Sequence, residues 1–292
     1  MKKYIVFDIG GTKTRYAVMD REANFLYGPF EENTPKKGLP DLLVGIVGKI
    51  LNKTEFEVVE SIGIACCGII DTERGMIKHS RILGDRIEIR SPLEKKFRIK
   101  TFVENDGNAA VLGEKFYGKG KKFESVAYVS IGTGLGGGFY KKGLHRGGEY
   151  DTEFGSFDVG GVEWKSISGS KIKELLEEFL SEDKRETGLR QESLNAENLF
   201  ALAAEGDRVV KEFLENVIGK YNARGFSIII KKFEPEMIVL GGSIALENSG
   251  MIIEPLKRRL KKILGGRKLP RIELSGLGKN AGLYGALVLA KR

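Results

Sequence analysis

Apolar residues near the start of the chain come in short strand-length runs rather than one long stretch. Residues 4–9 and 15–19 read as the arms of a hairpin, 25–30 as a further strand and 58–65 as a buried strand. Between them, Leu42, Leu43, Ile46, Val47 and Ile50 fall on one face at helical spacing, which predicts a helix over 41–51. A strand-like run at 97–103 leads through Glu104-Asn105-Asp106 into a helix reaching about Tyr117, and strands return at 124–131 and 137–140. From about 168 the pattern turns helical, with segments at 170–180, 196–204 and 207–232. A short apolar strand at 237–240 follows, then helices at 252–263 and 281–290. Pro235 stops the longest helix, because proline lacks the N–H that a helix interior needs.

Two strand pairs enclose glycine-rich turns of similar design. The first turn is Asp8-Ile9-Gly10-Gly11-Thr12-Lys13, and the second is Ile131-Gly132-Thr133-Gly134. Such turns let backbone N–H groups and a Thr hydroxyl approach phosphate oxygens, since a Cβ would block them and some turns need positive φ. Between the two lies Glu104-Asn105-Asp106-Gly107-Asn108, which offers a candidate acid/base carboxylate. The combination points to phosphoryl transfer. Because the order of strands and helices repeats after each turn, the expected fold class is α/β with two lobes of related topology facing a cleft. The lobes are expected at 1–108 and 109–292, with the helix at about 281–292 packing back on the first.

Composition narrows the class without changing it. The 292 residues are 41% hydrophobic and 30% charged, as in a soluble globular protein. The 39 glycines form no collagen-like period and cluster in turns. Cys66 and Cys67 are adjacent in an apolar run, where neighbouring side chains point to opposite faces, so a disulfide between them is not expected. A reducing, cytoplasmic setting follows from that usage. The net charge of +8 comes from Lys and Arg interspersed with Asp and Glu, which reads as a mixed-charge surface rather than a nucleic-acid footprint. No apolar stretch approaches a membrane span. Neither a nucleic-acid partner nor a membrane is expected.

At these residues the chain resembles the ROK family of sugar kinases and repressors, within the actin/hexokinase-like (ribonuclease H-like) clan. The resemblance runs through FDIGGTKTRYAVMD at 7–20, IGIACCGIIDTERGMI at 62–77, FVENDGNAAVLGE at 102–114, SIGTGLGGGFY at 130–140 and EPEMIVLGGSI at 234–244. Family repressors carry a DNA-binding segment before the first glycine turn. Here that turn begins seven residues from the start, which favours the kinase branch.

The resemblance implies an ATP-dependent hexose kinase using Mg²⁺. Asp106 would be the general base, with capping of the following helix as the alternative reading; the two are compatible. Asn105 would bind the same sugar, Asp8 would hold the Mg²⁺ hydration shell, and Gly68 would offer its N–H to the sugar. Gly10, Gly11, Thr12 and Lys13, together with Gly132, Thr133 and Gly134, would cradle the phosphates. Gly241 and Gly242 resemble the family's adenosine-side loop.

Glu153 stands where the family has a Glu-x-Gly-His sugar motif, but here Glu153-Phe154-Gly155-Ser156 lacks the His. The Cys-rich zinc loop expected next is short, and 158–168 contains neither Cys nor His, so no zinc site is expected. Glu163 is the nearest candidate for a second sugar glutamate, against a plain solvated turn charge. His79 and His145 read as surface residues. Glucose is the default acceptor, while the altered motif leaves fructose, mannose or an N-acetylhexosamine open. A sugar-sensing or binding protein that has lost turnover is the alternative class. Family members are often dimeric, so a homodimer also stays open.

Overall fold

The computed structural model describes residues 1–56, 58–132, 134–145, 152–168, 172–182 and 196–292. Its contacts form two compact units, Met1–Lys121 with Asn280–Arg292, and Lys122–Lys279. In chain order the first unit holds β1 (Lys3–Ile9), β2 (Lys13–Asp20), β3 (Phe25–Asn33), α1 (Leu39–Leu51), β4 (Ser61–Cys66), β5 (Ile69–Asp71), β6 (Met76–Ser80), β7 (Gly84–Glu88), α2 (Arg90–Phe97), β8 (Lys100–Asn105) and α3 (Asp106–Phe116). The second holds β9 (Ser125–Ile131), β10 (Leu135–Lys141), α4 (Ile172–Glu182), α5 (Ala196–Glu205), α6 (Arg208–Phe213), α7 (Gly219–Phe233), β11 (Met237–Gly241), α8 (Ser243–Glu247), α9 (Ser249–Ile263) and β12 (Arg271–Leu274). The last helix, α10 (Ala281–Ala290), belongs to the first unit.

The first unit is a five-stranded sheet in the order β3-β2-β1-β4-β8. β1 is antiparallel to β2 and parallel to β4, which is parallel to β8. The unbroken apolar run of β1 is explained by burial on both faces. Ile5, Phe7 and Ile9 pack in one cluster with Leu43 and Val47 of α1, while Tyr4 and Val6 pack in another with Leu283 and Leu287 of α10. α10 is apolar all round, as a helix enclosed by other elements must be.

Small residues let α10 approach α3 closely. A Cβ on Gly285 would run into the Ala109 backbone, and one on Gly113 would strike the Ala281 carbonyl oxygen. This contact keeps α3 in the first unit, so the unit boundary falls after Lys121 rather than between 108 and 109.

The second unit repeats the strand plan: the order is β10-β9-β11-β12, with one antiparallel hairpin followed by parallel strands. Its core centres on Trp164, which is fully buried, meets Phe226 edge-on at 5.2 Å and donates Nε1–H to Asn222 Oδ1 at 2.8 Å.

The structure departs from the sequence pattern in several places. A three-stranded antiparallel meander, β5-β6-β7, is inserted between β4 and α2. The helix expected over 207–232 is α6, a π-helical turn at Leu214–Ile218 and α7 in succession. Among the described residues no helix is long and apolar enough to cross a membrane.

Candidate functional site

Open sheets with parallel strands place functional groups beyond the carboxyl ends of those strands, where side chains and helix N-termini converge. In the first unit, Ile9, Cys66 and Asn105 lie side by side in register at the ends of β1, β4 and β8. Asp8 and Asp106 flank this row, one before the end of β1 and the other opening α3.

Both carboxyls keep some solvent access, yet protein surrounds them enough to disfavour charge. Burial, followed by the negative charge of Asp106, pushes Asp8 up to about 7, against a smaller opposing pull from Arg15. Burial likewise raises Asp106, and its bond from the Gly107 N–H at 2.9 Å opposes that rise only in part.

Asn105, not Asp106, caps α3: its Oδ1 accepts from the Asn108 N–H at 3.1 Å. Its Nδ2 donates to the Gly68 carbonyl at 3.0 Å, so two of the expected sugar-side residues are brought together. Gly68 itself has φ +115, and a Cβ there would collide with the His79 carbonyl oxygen at 2.7 Å. Buried Glu104 fixes the junction from behind, accepting from the Asn105 N–H at 3.0 Å and Asn108 Nδ2 at 3.1 Å.

The turn joining β1 to β2 is closed by Gly10 N–H donating to Lys13 O at 2.9 Å. Neither Gly10 nor Gly11 has left-handed φ, contrary to the general expectation for such turns. Thr34, just beyond β3, holds the turn from outside. Its N–H donates to Thr12 O at 2.9 Å, and its Oγ1 donates to Gly10 O at 2.9 Å while lying 2.9 Å from Thr14 Oγ1. The sequence reading missed Thr34, because nothing local links it to a turn some twenty residues earlier.

Arg15 was missed as well. It stands opposite Asp8 in the hairpin register and donates Nη2–H to Asn280 Oδ1 at 2.8 Å. Thr12 is exposed, and Lys13 is half-exposed beside Glu31 at 3.5 Å. The Cys66 thiol is held well above its usual range by its hydrogen bond to Cys67 and by burial, which keeps it protonated; both cysteines are free thiols. His79 pairs with Asp85 at 2.7 Å on the exposed face of the meander.

In the second unit, Gly132 N–H donates to Gly134 O at 2.9 Å, closing the turn between β9 and β10; Thr133 lies outside the described residues. The Gly241-Gly242 loop is brought against this turn, since a Cβ on Gly132 would lie 3.5 Å from Ser243 Oγ. Gly242 has φ +86 and sits too close to the Ile131 carbonyl for any side chain. Glu153 precedes a single 3₁₀ turn, Phe154–Ser156, whose Gly155 presses against the Leu135 carbonyl at the start of β10.

Glu163 is half-exposed and paired with Lys165 at 3.1 Å. Between Glu153 and Glu163 the chain turns tightly. Asp158 Oδ1 accepts from the Gly160 and Gly161 N–H groups at 2.8 and 2.6 Å, and Val159 N–H donates to Val162 O at 3.0 Å. His145, read as a surface residue, meets Phe139 and Phe233 edge-on at 5.9 and 5.8 Å. Among the described residues, no group of three or more His, Cys, Asp or Glu is arranged to hold a metal.

The description of the ROK family matches residues 4–292. The chain belongs to the ROK family. Among its relatives is a glucokinase of Thermotoga maritima, 27% identical, covering 99% of this chain and 97% of the relative. Another is an N-acetyl-D-glucosamine kinase of Haemophilus influenzae, 28% identical, with 98% of each chain covered. The solved structure of a ROK hexokinase from Thermus thermophilus superposes with a TM-score of 0.80, at 28% identity over 99% of this chain and 98% of that one. The ROK chain described here therefore has the actin/hexokinase-like α/β fold.

Proposed function

We propose that this ROK protein transfers the γ-phosphoryl group of ATP to a hexose hydroxyl. The observation that carries the reading is the pair of partly exposed carboxyls, Asp8 and Asp106, beside a glycine turn at the carboxyl ends of parallel strands. The named relatives, two of which act on glucose or an N-acetylated hexosamine, support it.

Asp106 is the base. The sugar oxygen attacks the γ-phosphorus and the bond to the ADP oxygen breaks, while the hydroxyl proton passes to the Asp106 carboxylate. A raised pKa suits this task, because a stronger base takes the proton more readily once ionised. Asn105, with its Oδ1 spent on the helix cap and one amide hydrogen spent on Gly68, presents its second amide hydrogen to the sugar. The Gly10–Lys13 turn and Gly132, Thr133 and Gly134 receive the phosphates, Gly241 and Gly242 receive the adenosine side, and Glu153 binds the sugar. Glu163, already paired with Lys165, is the weakest of the sugar-side assignments.

The donor set fits hydrated Mg²⁺, which favours few carboxylates and keeps its waters. Two neighbouring carboxyls that resist simultaneous ionisation gain from a cation, and the Asp8 carboxyl is seated in the space that the missing side chain of Gly282 leaves. When bound, Mg²⁺ would neutralise charge on the phosphate oxygens.

The test is a coupled ADP-release assay against glucose, fructose, mannose and N-acetylhexosamines, run beside Asp106→Asn. Turnover on one sugar that falls about 10²-fold or more in the variant supports the kinase and names its acceptor. Sugar binding by calorimetry with no turnover anywhere on the panel would overturn it in favour of a sugar sensor.

A further inference from the structure

The loop joining β6 to β7 carries Ile82, whose side chain is 60% exposed. A single exposed aliphatic side chain is ordinary on a protein surface, but this one has a defined place. A Cβ built on Gly11 would sit 2.5 Å from Ile82 Cδ1 and 3.1 Å from its Cγ2, so the isoleucine lies directly on the Cα of the first glycine turn. The loop that holds it is fixed at both ends. Leu83 is buried in the core, Leu83 N–H donates to Ser80 Oγ at 3.3 Å, and Gly84 takes φ +104. The same strand end touches the sugar-side residues, since a Cβ on Gly68 would meet Ser80 Cβ at 2.9 Å. The meander thus presents one apolar side chain to the first glycine turn, two residues after the strand end that meets Gly68.

We propose that Ile82 is a specificity-determining residue that excludes water from the Gly11 side of the first glycine turn. It thereby favours a sugar hydroxyl over water as phosphoryl acceptor. This inference rests on the kinase reading given above. With water as acceptor, a water oxygen attacks the γ-phosphorus, the bond to ADP breaks, and phosphate and a proton are released without product sugar. An aliphatic wall beside the phosphates denies that water a hydrogen-bonded position, which is one recognised way active sites suppress side reactions.

The experiment compares wild type with Ile82→Ala, Ile82→Ser and Ile82→Leu. Inorganic phosphate and sugar phosphate are measured in the same reaction, and binding of a non-hydrolysable ATP analogue is followed by calorimetry. The ratio of phosphate to sugar phosphate should rise about tenfold or more in the Ala and Ser variants and return toward wild type in Leu. Analogue affinity should change less than about threefold. Ala and Ser variants that partition like wild type overturn the assignment to Ile82 and leave the kinase reading intact. A wild type that phosphorylates no sugar defeats the kinase reading itself, and this inference with it. Because Ile82 is largely exposed, the variants keep the fold, and a thermal melt within a few degrees of wild type verifies that.

Discussion

Asp8 and Arg15 stand opposite one another across the first hairpin, and Arg15 is fixed there by its 2.8 Å bond to Asn280 at the start of α10. The cation opposes, but does not overcome, the effects of burial and of Asp106, so Asp8 titrates near 7. A group whose pKa rises on folding stabilises the protein below its unfolded pKa and loses that contribution as pH climbs to the folded pKa. Relative to Asp8→Asn, wild type should therefore lose stability between about pH 4 and 7, on the order of a few kcal/mol in total. Excess MgCl₂ should restore it increasingly above pH 6 and leave the variant unmoved. Melting curves with and without Mg²⁺ across this range decide the matter; a magnesium effect independent of pH and of Asp8 would refute the assignment.

Thr34 closes the first glycine turn through its hydroxyl, while its backbone bond to Thr12 needs no side chain. Thr34→Val keeps the shape and strands the Gly10 carbonyl and the buried Thr14 hydroxyl, a loss of about 1–3 kcal/mol. The loosened turn should also weaken nucleotide more than sugar. Urea denaturation and separate KM values for ATP and acceptor read the two effects, and equal changes in both KM values would count against a phosphate role for the turn.

What could be read from the sequence was whatever is local. The strand β1 with its glycine turn, and the Asn105-Asp106 step from β8 into α3, are short-range patterns with strong periodicity, and the structure places them where the pattern does. The meander escaped because β5, β6 and β7 are three to five residues long, with exposed charged positions that dilute any alternation. α2 escaped because Leu93 is its only fully buried residue. Thr34, Arg15 and Ile82 act through contacts that the chain makes only after folding. The glycines gave a mixed result: Gly68 and Gly242 need left-handed φ, whereas Gly11 matters because Ile82 occupies the space of its missing side chain.

The packing of α10 on α3 gives a stability prediction independent of any ligand. Gly285→Ala would press a methyl into the Ala109 backbone, and backbone cannot swing aside as a flexible side chain can. Overpacking of this kind costs about 1–3 kcal/mol or more. Gly250→Ala, where a Cβ meets nothing within 4 Å inside α9, should instead be neutral or stabilising by up to about 1 kcal/mol. Denaturant midpoints for the two variants should move in opposite directions or differ clearly in size; equal midpoints would mean the helices have room to separate.

The turn at 158–163 carries its own pH signature. Asp158 is exposed, yet the Gly160 and Gly161 N–H groups donate to its carboxylate and hold it below the usual range. Both glycines adopt positive φ, and the Arg224 guanidinium closes the turn from the other side by donating to Val159 O at 3.0 Å. A carboxyl whose pKa falls on folding stabilises above its unfolded pKa, near 3.8, and that contribution disappears as pH drops through the folded pKa. Asp158→Asn keeps an acceptor oxygen in place but has no charge to lose. The stability gap between wild type and variant should therefore be widest above about pH 4 and close below it. Amide exchange at Gly160 and Gly161 should accelerate in wild type over the same acid range, and less so in the variant. A gap that persists unchanged to pH 2 would mean that the carboxylate charge contributes nothing and that shape alone holds the turn.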